Sequence, residues 1–382
     1  MKGRTFNPLS HLCASMANLP DLYFAPMKLL ESLCQTPGVS GRELRVRQLI
    51  EREIKGLFDT VTTDPMGSLL AVRRPRPAKK GKANAKPLRI MVAAHMDQIG
   101  FLVRHVDDRG FLRVNPVGGF DTRNLFARLV TVCPDLADPK HDLTGVMNPA
   151  GKPVHIADDA ERKKVPEPHE LMIDLGLPGD GVKKKVKIGD MVVLKAPFAK
   201  IGQTYVGQCM DNRVAVWIAI EAVRKLHEDK TPHDAEVQIA FTVQEEVGLR
   251  GARTAAYGLE PDIGIGLDTT LCVDTPGVGD DQRVTQQGKG ATVTVMDSAS
   301  IGDHGLIQRF EHLAAKHKIP HQLSILMRGG TDSGAIQMAR AGVRTMTLSC
   351  PTRYIHTVTE MVHETDLNAC RDLLAAFLAD PQ

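Results

Sequence analysis

Short, continuous apolar runs alternate along most of this chain with stretches whose apolar positions recur at helical spacing. SLLAV (68–72), RIMVAA (89–94), EVQIAFTV (236–243), DIGIGLD (262–268) and VRTMTLS (343–349) have the length and texture of buried strands. After the turn-forming PGVSGRE (37–43), Leu44, Leu49, Ile50, Ile54 and Leu57 fit one face of a helix, as do Leu367, Cys370, Leu374 and Phe377 near the end. Further helices are predicted at about 212–226 and near 303–317. Such alternation predicts an α/β fold with a mixed, largely parallel sheet flanked by helices.

The texture changes between Asn115 and Gln203, where LVTVCP, LTGVMNPAGKPV, ELMIDLG and DMVVLKAPF are short Val-containing strands broken by Gly and Pro. This predicts a small all-β domain inserted into the α/β domain: residues 27–114 and 204–382 form the larger unit and 115–203 the insert. Two domains also suit 382 residues, since a single core rarely grows to that size. No internal repeat is found. The basic segment RRPRPAKKGKANAKP (73–87) lacks periodicity and reads as a solvated loop.

Composition narrows the function classes. The net charge is +3, from 48 basic and 45 acidic side chains, so no nucleic-acid or membrane partner is expected. No run reaches the roughly 20 apolar residues that span a bilayer, and the first 30 residues lack the apolar block of a secretory signal. The absence of acidic residues before Asp21 is a weak transit-sequence feature, discounted because only Lys2 and Arg4 carry charge there. The cysteines, 13, 34, 133, 209, 272, 350 and 370, form no C-x-x-C pair and read as reduced thiols of a cytoplasmic protein.

In open α/β sheets, ligands bind beyond the carboxyl ends of the strands. RIMVAA leads into His95-Met96-Asp97, and positions two apart on an extended chain face the same side. That pairing suits an imidazole binding a metal through one nitrogen while the other is oriented by a carboxylate. EVQIAFTV leads into Glu245-Glu246, which can divide the tasks of general base and metal ligand. Asp268 terminates DIGIGL, Asp211 opens the helix DNRVAVWIAI, and His356 follows VRTMTLS. Each alone has a plain alternative: a helix cap for Asp211, a surface histidine for His356, a solvated strand end for the glutamates. Together they place two histidines and at least four carboxylates at one sheet edge, with no cysteine among them. Such a set points to Zn²⁺, Co²⁺ or Mn²⁺, and its size to two ions.

At these residues the sequence resembles the glutamyl aminopeptidase or tetrahedral (TET) aminopeptidase family of dizinc metallopeptidases. The resembling segments, in order, are PGVSGRE, AAHMDQIGF (93–101), MDNRVA (210–215), EEVGLRGA (245–252), LDTTLCVDTPG (267–277), GGTDSGAI (329–336) and RYIHTVTEM (353–361). The resemblance implies a zinc-peptidase-type sheet and two metal ions, most simply zinc. Asp211 would bridge them, with His95 and Asp268 on one ion and Glu246 and His356 on the other. It also implies Glu245 as general base and Asp97 as the carboxylate behind His95. The implied substrate is a peptide with a free amino terminus. Residues 115–203 would be a dimerisation domain, and dimers would assemble into a hollow dodecamer. IDLGLPGDGVKKKVKIGD and the long 73–87 segment depart from the family pattern, which bears on assembly and access.

Other readings remain at this point. A dizinc carboxypeptidase or N-acyl amino-acid deacylase would use nearly the same ligands plus a cation for a substrate carboxylate, with Arg328 or Arg353 as candidates. A glycoside hydrolase would use paired carboxylates, but four Tyr and one Trp offer few sugar platforms and the histidines would go unexplained. An inactive oligomeric scaffold would not need to retain both Glu245 and Glu246.

Overall fold

The apolar runs expected as strands lie side by side in a computed structural model that describes residues 25–78 and 86–382. The chain begins with α1 (Ala25–Gln35), α2 (Leu44–Glu53), β1 (Thr60–Thr63), β2 (Leu69–Arg73) and β3 (Arg89–His95). It then leaves the sheet for β4 (Gly100–Val106), β5 (Leu112–Val117), β6 (Arg128–Cys133), β7 (Leu143–Pro149), α3 (Asp159–Lys163), β8 (Leu171–Asp174), α4 (Gly179–Lys183) and β9 (Met191–Leu194). It returns with β10 (Ala199–Ile201), β11 (Thr204–Gly207), α5 (Met210–Glu228), β12 (Glu236–Thr242), α6 (Arg250–Leu259) and β13 (Ile263–Leu271). The remainder is β14 (Ala291–Met296), α7 (His304–His317), β15 (His321–Ile325), α8 (Asp332–Gln337), β16 (Arg344–Arg353), β17 (Glu360–His363) and α9 (Glu364–Ala379).

Eleven strands form one mixed sheet in the order β1-β2-β12-β3-β13-β16-β17-β11-β10, with β14 on β16 and β15 on β14. Its centre, β12-β3-β13-β16, is parallel, and antiparallel pairs extend it on both sides. The central strands are buried nearly throughout, as two covered faces require. The faces differ in side-chain size. Ile90, Val92 and Ala94 join a large core with α1, α2, α5, α7 and α9, whereas Met91 and Ala93 meet the alanines of α6 and α8. Close packing of α8 needs glycine in β13: a Cβ at Gly264 would lie 2.4 Å from Ile336 Cγ2, and one at Gly266 would lie 3.0 Å from Ser333.

The other six strands close into a barrel, β4-β5-β8-β7-β6-β9. It has its own core, which includes Phe101, Val114, Val132, Ile173 and Val192. The barrel starts at Gly100 rather than at 115, and β10 and β11 have rejoined the large sheet by residue 207. The change of burial pattern marks the boundary: β3 is buried continuously, while β4 and β5 turn exposed positions outward, as strands covered on one side do. Arg73, expected in the basic loop, instead ends β2 and is buried, donating to the Leu57 carbonyl. Residues 79–85 of that loop and the amino-terminal segment with its transit feature lie outside the described residues. Among the described residues, no helix is long and apolar enough to cross a membrane.

Phe310 of α7 and Phe377 of α9 stack with ring centroids 4.4 Å apart, both fully buried in the larger core. Phe310→Ala is expected to cost about 3–5 kcal/mol. Denaturant titration followed by fluorescence of Trp217, the single tryptophan and fully buried on α5, measures it.

Candidate metal centre

β3 and β13 pair in register only from Ile90 opposite Ile263 to Ala93 opposite Gly266. Beyond that point β3 stays with β12, whose Thr242 lies opposite His95, while β13 continues with β16 as far as Leu271 opposite Thr352. The sheet therefore opens between β3 and β13 at its carboxyl edge. Asp268 lies inside β13, three residues before its end, rather than terminating the strand as the sequence suggested. It faces this opening, with Oδ1 3.8 Å from His95 Nε2.

The remaining candidates converge on the same gap. Asp211, on the first turn of α5, directs Oδ1 to within 3.2 Å of His95 Nε2 and Oδ2 to within 3.6 Å of His356 Nε2. Glu246 Oε2 lies 3.4 Å from His356 Nε2, and Glu245 Oε2 lies 3.8 Å from His95 Nε2. Two groups emerge, His95–Asp211–Asp268 and Asp211–Glu246–His356, and within each the candidate ligand atoms lie within 4.8 Å of one another. Asp211 belongs to both. Glu245 belongs to neither, although it borders the first.

Asp97 has a different set of contacts from the one its spacing suggested. His95 Nδ1 is nearer the Asp97 backbone carbonyl (3.2 Å) than its carboxylate (3.5 Å). The carboxylate instead accepts from Ser40 Oγ at 2.6 Å and from the backbone N–H groups of Glu245 and Glu246 at 3.0 and 3.3 Å. It thus fixes the turn that presents both glutamates, which follows Gln244 in the left-handed region at φ 55°. Glu43 shares the task, accepting from Gly41 N–H at 2.7 Å and Gln244 N–H at 3.2 Å. On the opposite wall, Asp332 accepts from Thr242 Oγ1 at 2.5 Å. Ser40 and Glu43 carried no role in the sequence reading, although both lie inside a resembling segment. Their signal was a polar residue at a turn, which usually means only local capping.

Burial and mutual repulsion leave a surplus of negative charge. Burial, reinforced by neighbouring carboxylates, pushes Glu245 and Asp268 well above the usual carboxylate range and raises Glu246 as well. Glu43 is pushed up to about 7, by burial first and by Asp97 second. Burial alone would lower His95, but Glu245, Asp211 and Asp97 outweigh it and raise the imidazole well above its ordinary value. His356 rises to about 9 against the effect of burial, chiefly through Glu246. Asp97 and Asp211 are lowered despite burial, because His95 stands beside each.

Asp211 Oδ1 and Glu246 Oε1 are buried and accept no hydrogen bond. Leaving such oxygens unpartnered is costly, and a cation satisfies them. The donors are imidazole and carboxylate without thiolate, a set suited to zinc, cobalt or manganese. The gap opens into a cleft of about 300 Å³, whose walls include Thr269, Leu271, Leu326, Arg328 and Ile355.

Residues 77–373 match the model of the M42 glutamyl aminopeptidase family. The chain belongs to that family. A relative in Acetivibrio thermocellus is 35% identical over 91% of this chain and 96% of its own. The lysyl aminopeptidase of Pyrococcus furiosus is 31% identical over 92% of this chain and 96% of its own. Among solved structures, the TET1 peptidase of Pyrococcus horikoshii, which can assemble into a tetrahedron or a large octahedral shell, superposes with a TM-score of 0.79. It is 32% identical, covering 92% of this chain and 99% of that one. Membership in the M42 family supports aminopeptidase activity and a requirement for divalent metal.

Asp97→Asn keeps one acceptor oxygen and sets an NH₂ against one of the two N–H groups, that of Glu245 or that of Glu246, which the two carboxylate oxygens accept separately. Metal affinity is expected to fall about 10–100-fold with the fold retained. Equilibrium dialysis against metal buffers, read by elemental mass spectrometry, measures it.

Proposed function

We propose that this chain is a two-metal aminopeptidase that releases residues one at a time from the free amino ends of peptides. The observation that carries the reading is the division of the cluster. Asp211 is shared between two three-residue groups, while the buried Glu245 carboxylate stands beside them without belonging to either. In this reading His95, Asp211 and Asp268 would hold one ion and Asp211, Glu246 and His356 the other. Divalent cations bound there would supply Lewis acidity, lowering the pKa of the attacking water and polarising the scissile carbonyl.

The chain's own residues do the rest. Glu245 takes the proton of the attacking water and returns it to the leaving amine, a role that suits a buried carboxyl that borders the first group of ligands and belongs to neither. Asp97 and Glu43 hold the turn on which Glu245 is carried, so its carboxylate is positioned before substrate arrives.

The carboxypeptidase and deacylase readings need a cation for the substrate carboxylate. Arg353 is committed elsewhere, to a two-pronged pair with Asp274 at 2.6 and 2.7 Å. Arg328 is exposed on the cleft wall, with no carboxylate partner among the described residues. We assign it to recognition of the first side chain, which favours peptides beginning with Glu or Asp.

Edge strand β15 turns Leu323 and Ile325 outward at 48% and 55% exposure, followed by Met327 at 81%. An apolar row of this kind on a sheet edge supports a homo-oligomer, with the barrel as the expected dimerisation unit. The six free, buried cysteines described suit a cytoplasmic setting.

The test is hydrolysis of short peptides with free or acetylated amino ends, after chelation and after re-addition of zinc, cobalt or manganese. Metal-restored cleavage confined to free amino ends is expected, and cleavage only from the carboxyl end or only of acylated peptides would refute the reading. Glu245→Gln should retain both metals and lose about 10²–10⁴-fold in kcat. A near-normal rate would remove Glu245 from its role. Arg328→Ala should lower kcat/KM for peptides beginning with Glu roughly tenfold and leave those beginning with Leu nearly unchanged.

A further inference from the structure

The backbone around two of the candidate ligands is irregular. Asp211 stands on the first turn of α5, where a backbone N–H has no acceptor within the helix. Its φ and ψ, −78° and 102°, are not helical, and Cys209, two residues earlier, is left-handed at φ 60°. His356 lies in the turn between β16 and β17, left-handed at φ 65°. Neither N–H can join a helix or a strand ladder, yet a buried N–H needs a partner.

Both find it in one side chain. Glu360 is 2% exposed, and its Oε2 accepts from the Asp211 N–H at 3.0 Å while its Oε1 accepts from the His356 N–H at 2.7 Å. The fold explains how one residue reaches both. Glu360 begins β17, which pairs on one side with β11 through Glu360 opposite Gly207, four residues before Asp211. On its other side it pairs with β16 through Met361 opposite Arg353, three residues before His356. One carboxylate therefore stands where the segment entering Asp211 and the segment leaving β16 meet.

We propose that Glu360 is a positioning residue for the second metal site: by accepting from both backbones it fixes Asp211 and His356 relative to each other, and so sets the affinity of the site formed by Asp211, Glu246 and His356. This inference rests on the two-metal reading above. A carboxylate suits the task because it offers an acceptor oxygen at each prong. The isosteric amide offers one oxygen and one NH₂, so one of the two N–H groups would face another donor. His95 and Asp268 make no hydrogen bond to Glu360, so the first site depends on it only through Asp211.

The test uses the full chain, stripped of metal by chelation and titrated with Co²⁺ by calorimetry, with bound zinc counted separately by elemental mass spectrometry. The unaltered chain is expected to bind two ions. Glu360→Gln is expected to keep one tight ion and to weaken the second about 10–100-fold, the range seen when support behind metal ligands is removed. Thermal melting of the metal-free protein should be the same for both. Glu360→Asp keeps two oxygens on a shorter stem that does not span both N–H groups, and it should likewise weaken the second ion alone. Two ions held by Glu360→Gln with unaltered affinities would overturn the proposal while leaving the two-metal reading intact. Failure of the unaltered chain to bind two ions would overturn both. If the metal-free forms of both variants unfold, Glu360 serves only the fold and the proposal is wrong.

Discussion

Everything in the candidate centre depends on the loss of pairing between β3 and β13 beyond Ala93 and Gly266. Up to that point the parallel strands form a slab buried on both faces. Past it, one strand follows β12 and the other follows β16, and a wedge opens with His95 on one wall and Asp268 on the other. α5 starts over the mouth of this wedge and delivers Asp211 between them. Topology thus makes the gap, and strand lengths decide which residues face it.

Concentrating acidic groups in a buried gap is expensive unless each is partnered. The fold meets that need by layers. Asp97, Glu43 and Glu360 are themselves buried carboxylates, and each accepts from backbone N–H groups that local geometry has left free. Those bonds hold the Glu245–Glu246 turn, the start of α5 and the His356 turn in position. The side chains in front of them, by contrast, retain unpartnered oxygens on Asp211 and Glu246. Support is saturated and the front is left wanting charge, which is the arrangement expected of a preorganised cation site.

The strands were legible because burial on both faces imposes unbroken apolar runs, and the candidate cluster was legible because polar residues at their ends have little reason to be metal-binding types by accident. The barrel boundary was harder. β4 and β5 carry Phe101, Val103, Leu112 and Val114, apolar enough to pass for the α/β domain they adjoin. Only their alternating burial separates them, and alternation over six or seven residues is a weak signal. Asp97 was found by spacing, but its principal partners proved to be Ser40 and the backbone of the glutamate turn rather than the ring of His95.

What the sequence determined by itself was the α/β alternation, the inserted β unit and the residues able to hold cations, since all three follow from local periodicity and side-chain chemistry. The tertiary structure decided which of those residues stand together in groups able to hold an ion, that Glu245 stands apart from both groups, that Arg353 is paired with Asp274 while Arg328 has no carboxylate partner among the described residues, and that Glu360 accepts from both Asp211 and His356. Each is a relation between segments distant in sequence, as Asp211 and Glu360 are at 149 residues apart. Such relations are set by strand order and register, which no local pattern encodes.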